Sequence, residues 1–240
     1  MGERLPMRRL IYVPIIHSEA DLGGLAEGIE ERAKAVVGGI NWQRHKDIVG
    51  LYWQRIADYW EGRDVLGCKI FQDAMVINGA VGENIVRDLA NSGSINYKIV
   101  EQLLARGAKL VKTEDSVLLR EEYFLARKLA ERKPLLITLQ ALLHYKWRKG
   151  KILKARDAYI VKSINKSLEA DETGICFLGA YHQILPDLPK DIRVISLKDP
   201  QKVKAYSQKF MHKKWESEAN QLGEYLITPI ERKPGEPDEQ

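Results

Sequence analysis

Gly174-Ile175-Cys176-Phe177-Leu178-Gly179-Ala180-Tyr181-His182 is an apolar run that ends in glycine and delivers a histidine three residues later. It follows, after a helix-length spacer, Lys154-Ala155-Arg156-Asp157-Ala158-Tyr159-Ile160. A short, continuously apolar segment bounded by turn residues reads as a buried parallel strand. The chain opens with a similar device, Ile11-Tyr12-Val13-Pro14-Ile15-Ile16-His17. In a parallel α/β sheet the residues at the carboxyl ends of the strands face one crevice. His17 and His182, far apart in sequence, can therefore meet at one site.

Working outward, apolar runs at 10–16, 69–77, 108–113, 175–180 and 192–197 read as strands. Pro14 lacks an N–H and belongs at a strand's end or on an edge. Between the strands lie segments of helical length. Residues 21–37 contain Gly23, Gly24 and Gly28, and Gly38-Gly39 ends them. Residues 41–60 carry Ile48, Tyr52, Ile56 and Tyr59 at helical spacing, with Trp42, Trp53 and Trp60 as packing residues. Helices over 82–90 and 95–105 follow, the second closed by Gly107. Thr113-Glu114-Asp115-Ser116 supplies cap chemistry for a helix to about 132. Pro134 starts another, ending near Trp147. Gly150 marks a turn before a helix over 152–168, and a last helix spans 200–219. The fold expected is α/β: a largely parallel sheet of about five strands flanked by helices. Residues 1–231 form one domain with a helical region near 116–170, and 232–240 form a disordered tail.

Composition sets limits. Of 240 residues 45% are hydrophobic and 30% charged, the balance of an ordinary globular chain. No apolar stretch reaches the length of a membrane span. The opening, basic to Arg9 and then briefly apolar, makes a poor signal peptide and a good first strand. Cys68 and Cys176 lack disulfide-framework or zinc-knuckle spacing. They read as reduced thiols of an intracellular, cytoplasmic protein.

The net charge of +5 is mild but localised. Residues 146–156 hold six basic residues and no acid, with Trp147 among them, and a second cluster spans 198–214. Such stretches either contact nucleic acid or an anionic substrate, or are solvated helix faces. There is no G-x-G-x-x-G, P-loop, G-x-S-x-G or H-E-x-x-H. The turn at 79–84, with Gly79 and Gly82, offers a weak anion site at a helix N-terminus.

On this frame His17 follows the first strand, Asp73 sits on the second, Glu114 and Asp115 follow the third, and His182 follows the fourth. Histidines and a carboxylate can hold a divalent metal that activates water, or act as a metal-free acid–base pair. A buried Asp73 must be paired, because an isolated buried charge is costly. Glu114 and Asp115 read as caps. Arg156 and Asp157, early in a helix, form a structural ion pair or hold a carboxylate ligand. His45, His144 and His212 join no ligand pattern.

This order resembles the TraB/Tiki group, with erythromycin esterase-like and ChaN-like proteins as more distant kin. In that group an early strand ends in a G-x-x-H-type motif, the next carries an acidic residue, a later helix carries an Arg-Asn-type pair, and a final strand ends in a second G-x-x-H. Here the second motif is Gly179-Ala180-Tyr181-His182 and the pair is Arg156-Asp157. Proline replaces the first glycine in Pro14-Ile15-Ile16-His17, and Asp73 stands where glutamate is usual. The resemblance implies a metal-dependent hydrolase acting on a peptide, ester or related bond of a small molecule or peptide. His17, Asp73 and His182 would serve as metal or acid–base residues, with Mn, Co or Zn bound, and Arg156 as electrostatic stabiliser. The alternative is a non-catalytic module holding an anionic ligand or nucleic acid through residues 146–156, with binding that falls steeply with salt.

Overall fold

Side chains along a strand alternate between the two faces of a sheet, so a fully apolar strand demands helices on both sides. The computed structural model meets that demand. It describes residues 7–18, 20–21, 26–130, 139–210 and 218–231. The order is β1 (Arg8–Ile15), α1 (Ala26–Val37), α2 (Gly39–Trp60), β2 (Lys69–Gln72), α3 (Gly79–Asn91), α4 (Ile95–Ala105), β3 (Lys109–Val111), α5 (Ser116–Ala130), α6 (Leu139–Ser167), β4 (Thr173–Gly179), β5 (Ile192–Ser196), α7 (Pro200–Phe210) and α8 (Glu218–Ile227). The sheet has five strands in the order β3-β2-β4-β1-β5, and every pairing is parallel.

Two cores follow from the alternation. Leu10 and Tyr12 of β1 with Cys176 and Leu178 of β4 pack against Ile160 and Ile164 of α6 and Leu168 just after it. Ile11, Val13, Ile175 and Phe177 face the other way, into a larger core with Trp53, Ile56, Val100 and Tyr206. Tyr52 and Trp53 of α2 also tie down the end of β1: the Tyr52 hydroxyl donates to the Pro14 carbonyl and the Trp53 indole N–H to the Ile16 carbonyl. Pro14 lies near the end of a central strand, beyond Tyr12↔Ser196, where pairing with β5 stops. Its missing N–H therefore breaks no bond to β5. No helix among the described residues is long and apolar enough to cross a membrane.

Several elements differ from the sequence expectation. β2 stops at Gln72, because Ala74 takes a left-handed backbone (φ 61°) and starts a turn. Such a conformation costs a non-glycine residue about 1–2 kcal/mol. Asp73 thus lies one residue past the strand. α6 runs unbroken from Leu139 to Ser167 through Gly150, which makes no turn. The reason is tertiary: from Ile152 onward, Ile152, Ile160 and Ile164 bury one apolar stripe that holds the helix immediately after the glycine. Arg156 and Asp157 consequently sit in the second half of a long helix, not near the start of a short one. Where the sequence predicts one last helix over 200–219, the described residues form α7 (Pro200–Phe210) and a further helix, α8 (Glu218–Ile227). Gly23, Gly24, Pro134, His212 and the tail at 232–240 fall outside the described residues.

Candidate functional site

The strand order decides the site. β2, β4 and β1 are adjacent, so Asp73, Gly179, His182 and His17 come together at their carboxyl ends. The Asp73 N–H donates to the Phe177 carbonyl at 2.8 Å, extending the ladder one step past β2. The left-handed turn then folds Met75 under the sheet, and its carbonyl accepts from both Thr113 (2.8 Å) and Glu114 (3.0 Å). That contact draws the residues after β3 toward Asp73. Asp115 caps α5, accepting from Val117 and Leu118. Glu114, expected as a cap, is instead fully buried.

What Glu114 meets there is Arg156. The guanidinium donates through Nε to Glu114 Oε2 (2.9 Å) and through Nη2 to Glu114 Oε1 (2.5 Å) and Asp73 Oδ1 (2.9 Å). Nη1 donates to Glu122 of α5. One buried cation therefore serves three carboxylates. Burial opposes its charge, yet those carboxylates raise its pKa further. Burial pushes the Glu114 carboxyl up in spite of the Arg156 bonds.

Asp157 does not pair with Arg156. One turn face away, its Oδ1 lies 2.5 Å from His182 Nδ1 and its Oδ2 accepts from the Gln183 N–H at 3.1 Å. His182 Nε2 is then turned toward Asp73 Oδ2 at 3.6 Å. Burial disfavours the imidazolium, but the hydrogen bond to Asp157, followed by Asp73, outweighs it and pushes the His182 pKa up to about 10. For Asp73 burial is again outweighed, chiefly by His182, with Arg156 and His17 adding, and its pKa is lowered. A group with a raised folded-state pKa stabilises the fold fully below its unfolded value of 6.5 and loses that contribution as pH rises toward 10. In chelator-treated protein, unfolding free energy should fall between pH 7 and 10 more in wild type than in His182→Gln. Urea titrations at both pH values measure this; equal slopes would refute a charged His182.

Gly179 explains itself. A Cβ there would lie 2.9 Å from Asp73 Oδ2 and 3.7 Å from both His17 Nε2 and His182 Cδ2. The glycine N–H donates to the same Asp73 oxygen at 2.9 Å. A methyl would displace the carboxylate and break that bond. Gly179→Ala should cost about 1–3 kcal/mol, read as a lower urea midpoint; an unchanged midpoint would show that Asp73 can shift freely.

His17, Asp73, Arg156 and His182, singled out from the sequence, thus share one centre. His17 is exposed at its mouth, and the other three are buried. The sequence missed Glu114, Glu122 and the Asp157–His182 pair. A signal existed for Glu114, which follows a strand end as Asp73 does. Asp73, Glu114 and His182 each offer a ligand atom within 4.8 Å of the others, a group that can hold a metal ion. Both Glu114 oxygens are engaged by Arg156, whereas His182 Nε2 lacks such a clamp. The Asp157 bond to Nδ1 is the outer contact that orients a ligating histidine. The donor chemistry fits a divalent cation.

Burial holds the Cys176 thiol well above its ordinary pKa and also raises that of Cys68, so neither supplies a thiolate nucleophile. Of the basic stretch at 146–156, Lys146, Lys149, Lys151 and Lys154 are exposed, Arg148 pairs with Glu121, and Arg156 is withdrawn into the centre. No family model, no curated protein and no solved structure matches this chain, and the centre is characterised by its own geometry.

Proposed function

We propose that the chain is a metal-dependent hydrolase of the TraB/Tiki type, cleaving an ester, peptide or related acyl bond at the carboxyl ends of β1, β2 and β4. The observation that carries the reading is the convergence of His17 Nε2, Asp73 Oδ2 and His182 around the Cβ-less face of Gly179. The order of motifs in the sequence supports it as well. Asp73 and His182 would hold the cation, Mn, Co or Zn, with His17 or Glu114 as third ligand. When bound, such a cation lowers the pKa of a water molecule and polarises a carbonyl.

The chain's own residues do the rest. Asp157 fixes the tautomer of His182, and cation uptake requires His182 Nε2 to release its proton. Arg156 keeps Asp73 ionised and oriented, and contributes positive charge where an oxyanion develops. With Glu114 as third ligand, His17, exposed at the mouth, is left to accept a proton from water and return it to the leaving group. In the net reaction the acyl bond breaks, the water oxygen joins the acyl carbon, and the leaving group departs protonated. The test is hydrolysis of a panel of chromogenic esters and peptides by protein loaded with each metal, beside His17→Ala and His182→Ala. Turnover retained in both variants would sink the assignment.

A further inference from the structure

Next to this centre lies a cavity of about 820 Å³ that shares His17 and Gly179 with it. That size falls within the roughly 300–1,000 Å³ of small-molecule pockets. Its floor is Ile15, Ile16 and Ala180 at the strand ends; its far wall is Trp42 and Val49 of α2, with Phe210 of α7. His45 also lines it, but as an uncharged ring. It stacks on Phe210 with centroids 3.8 Å apart, bonds Tyr206 through Nδ1, and burial lowers its pKa to about 4. Lysines 46 and 149 also line the cavity.

Gly50 is the telling residue. It lies inside the 22-residue α2, where glycine costs about 1 kcal/mol relative to alanine. Neither backbone nor packing calls for it: its φ is ordinary, and a Cβ would meet nothing within 4 Å. It lines the cavity, and the space a Cβ would enter there is open, so a larger side chain at this position is expected to narrow the cavity. The glycine keeps the cavity open.

We propose that this cavity is an acyl pocket, so that the substrate is an ester or amide of a long aliphatic acid. This rests on the hydrolase reading above. The carbonyl would sit at His17, Asp73 and His182, and the chain would extend past Gly179 and Ala180 toward Trp42 and Phe210. Preference for a long chain follows from burying methylenes against an apolar wall.

The experiment compares p-nitrophenyl acetate with p-nitrophenyl octanoate on metal-loaded protein, and measures octanoate binding by calorimetry, in wild type and Gly50→Phe. The expected kcat/KM ratio favours octanoate by about tenfold or more, and Gly50→Phe, with an unfolding midpoint no lower than wild type, collapses that ratio and abolishes octanoate binding. Turnover of both esters at equal efficiency, or a ratio untouched in Gly50→Phe, would overturn the pocket while leaving the hydrolase. Without turnover of either ester, the hydrolase reading fails and calorimetry decides the pocket. Octanoate binding blocked by Gly50→Phe upholds it as an acyl-binding site, and no binding overturns it.

Discussion

Arg156→Met should destabilise the fold by about 3–5 kcal/mol, the usual consequence of removing one partner from a buried ionic cluster. Arg156 is 6% exposed and its guanidinium bonds Glu114, Asp73 and Glu122. Methionine matches its bulk but leaves Glu114 without a partner in a site where it is itself fully buried. Asp73 retains His182 and the Gly179 N–H, so the penalty concentrates on Glu114. Two observations separate this from a packing defect. Adding Glu114→Gln to Arg156→Met should recover part of the loss, because the stranded charge disappears with it. The loss should also shrink at low pH, where Glu114, already raised by burial, takes up a proton. Equilibrium urea unfolding at neutral and acid pH measures both. A loss below about 1 kcal/mol would put the cluster in the class of exposed pairs.

The fold was legible because its determinants are local. Continuous apolar runs at β1 and β4 announce strands buried on both faces, and parallel pairing follows from the helices between them. β2 (Lys69–Gln72) and β3 (Lys109–Val111) are shorter than their apolar runs, because at Ala74 the chain turns through a left-handed conformation that alanine does not advertise and the pairing with β3 ends at Phe71. Gly150 acts in the opposite direction: it makes no turn, because the buried stripe that begins at Ile152 offsets a glycine cost of about 1 kcal/mol. At the site, the histidines and Asp73 could be placed together from strand ends alone. The partners that tune them could not. Glu114 and Arg156 are 42 residues apart, and Arg156 and Asp157, adjacent in sequence, serve different partners around the helix. Such pairings depend on the rotation of α6 over the sheet, which no short motif encodes.

His17→Ala should lower turnover about 10²–10⁴-fold, the range for a positioned proton carrier, with little change in unfolding free energy. The stability side follows from exposure: His17 lies at the mouth, and Asp73 keeps Arg156 and Gly179 without it. His182→Ala is a less clean probe, because it strands Asp157 as well as removing a reactive nitrogen. Elemental analysis of dialysed protein then sorts the two roles open to His17. If His17→Ala keeps stoichiometric metal while Glu114→Gln loses it, the cation sits on Asp73, Glu114 and His182, Arg156 must yield Glu114 when metal binds, and His17 carries the proton. If His17→Ala loses the metal, His17 is the third ligand and the Arg156–Glu114 clamp stays closed as a support for Asp73. Turnover and metal content both at wild-type levels in His17→Ala would leave the residue outside the chemistry. The convergence at Gly179 would then be a consequence of strand packing alone.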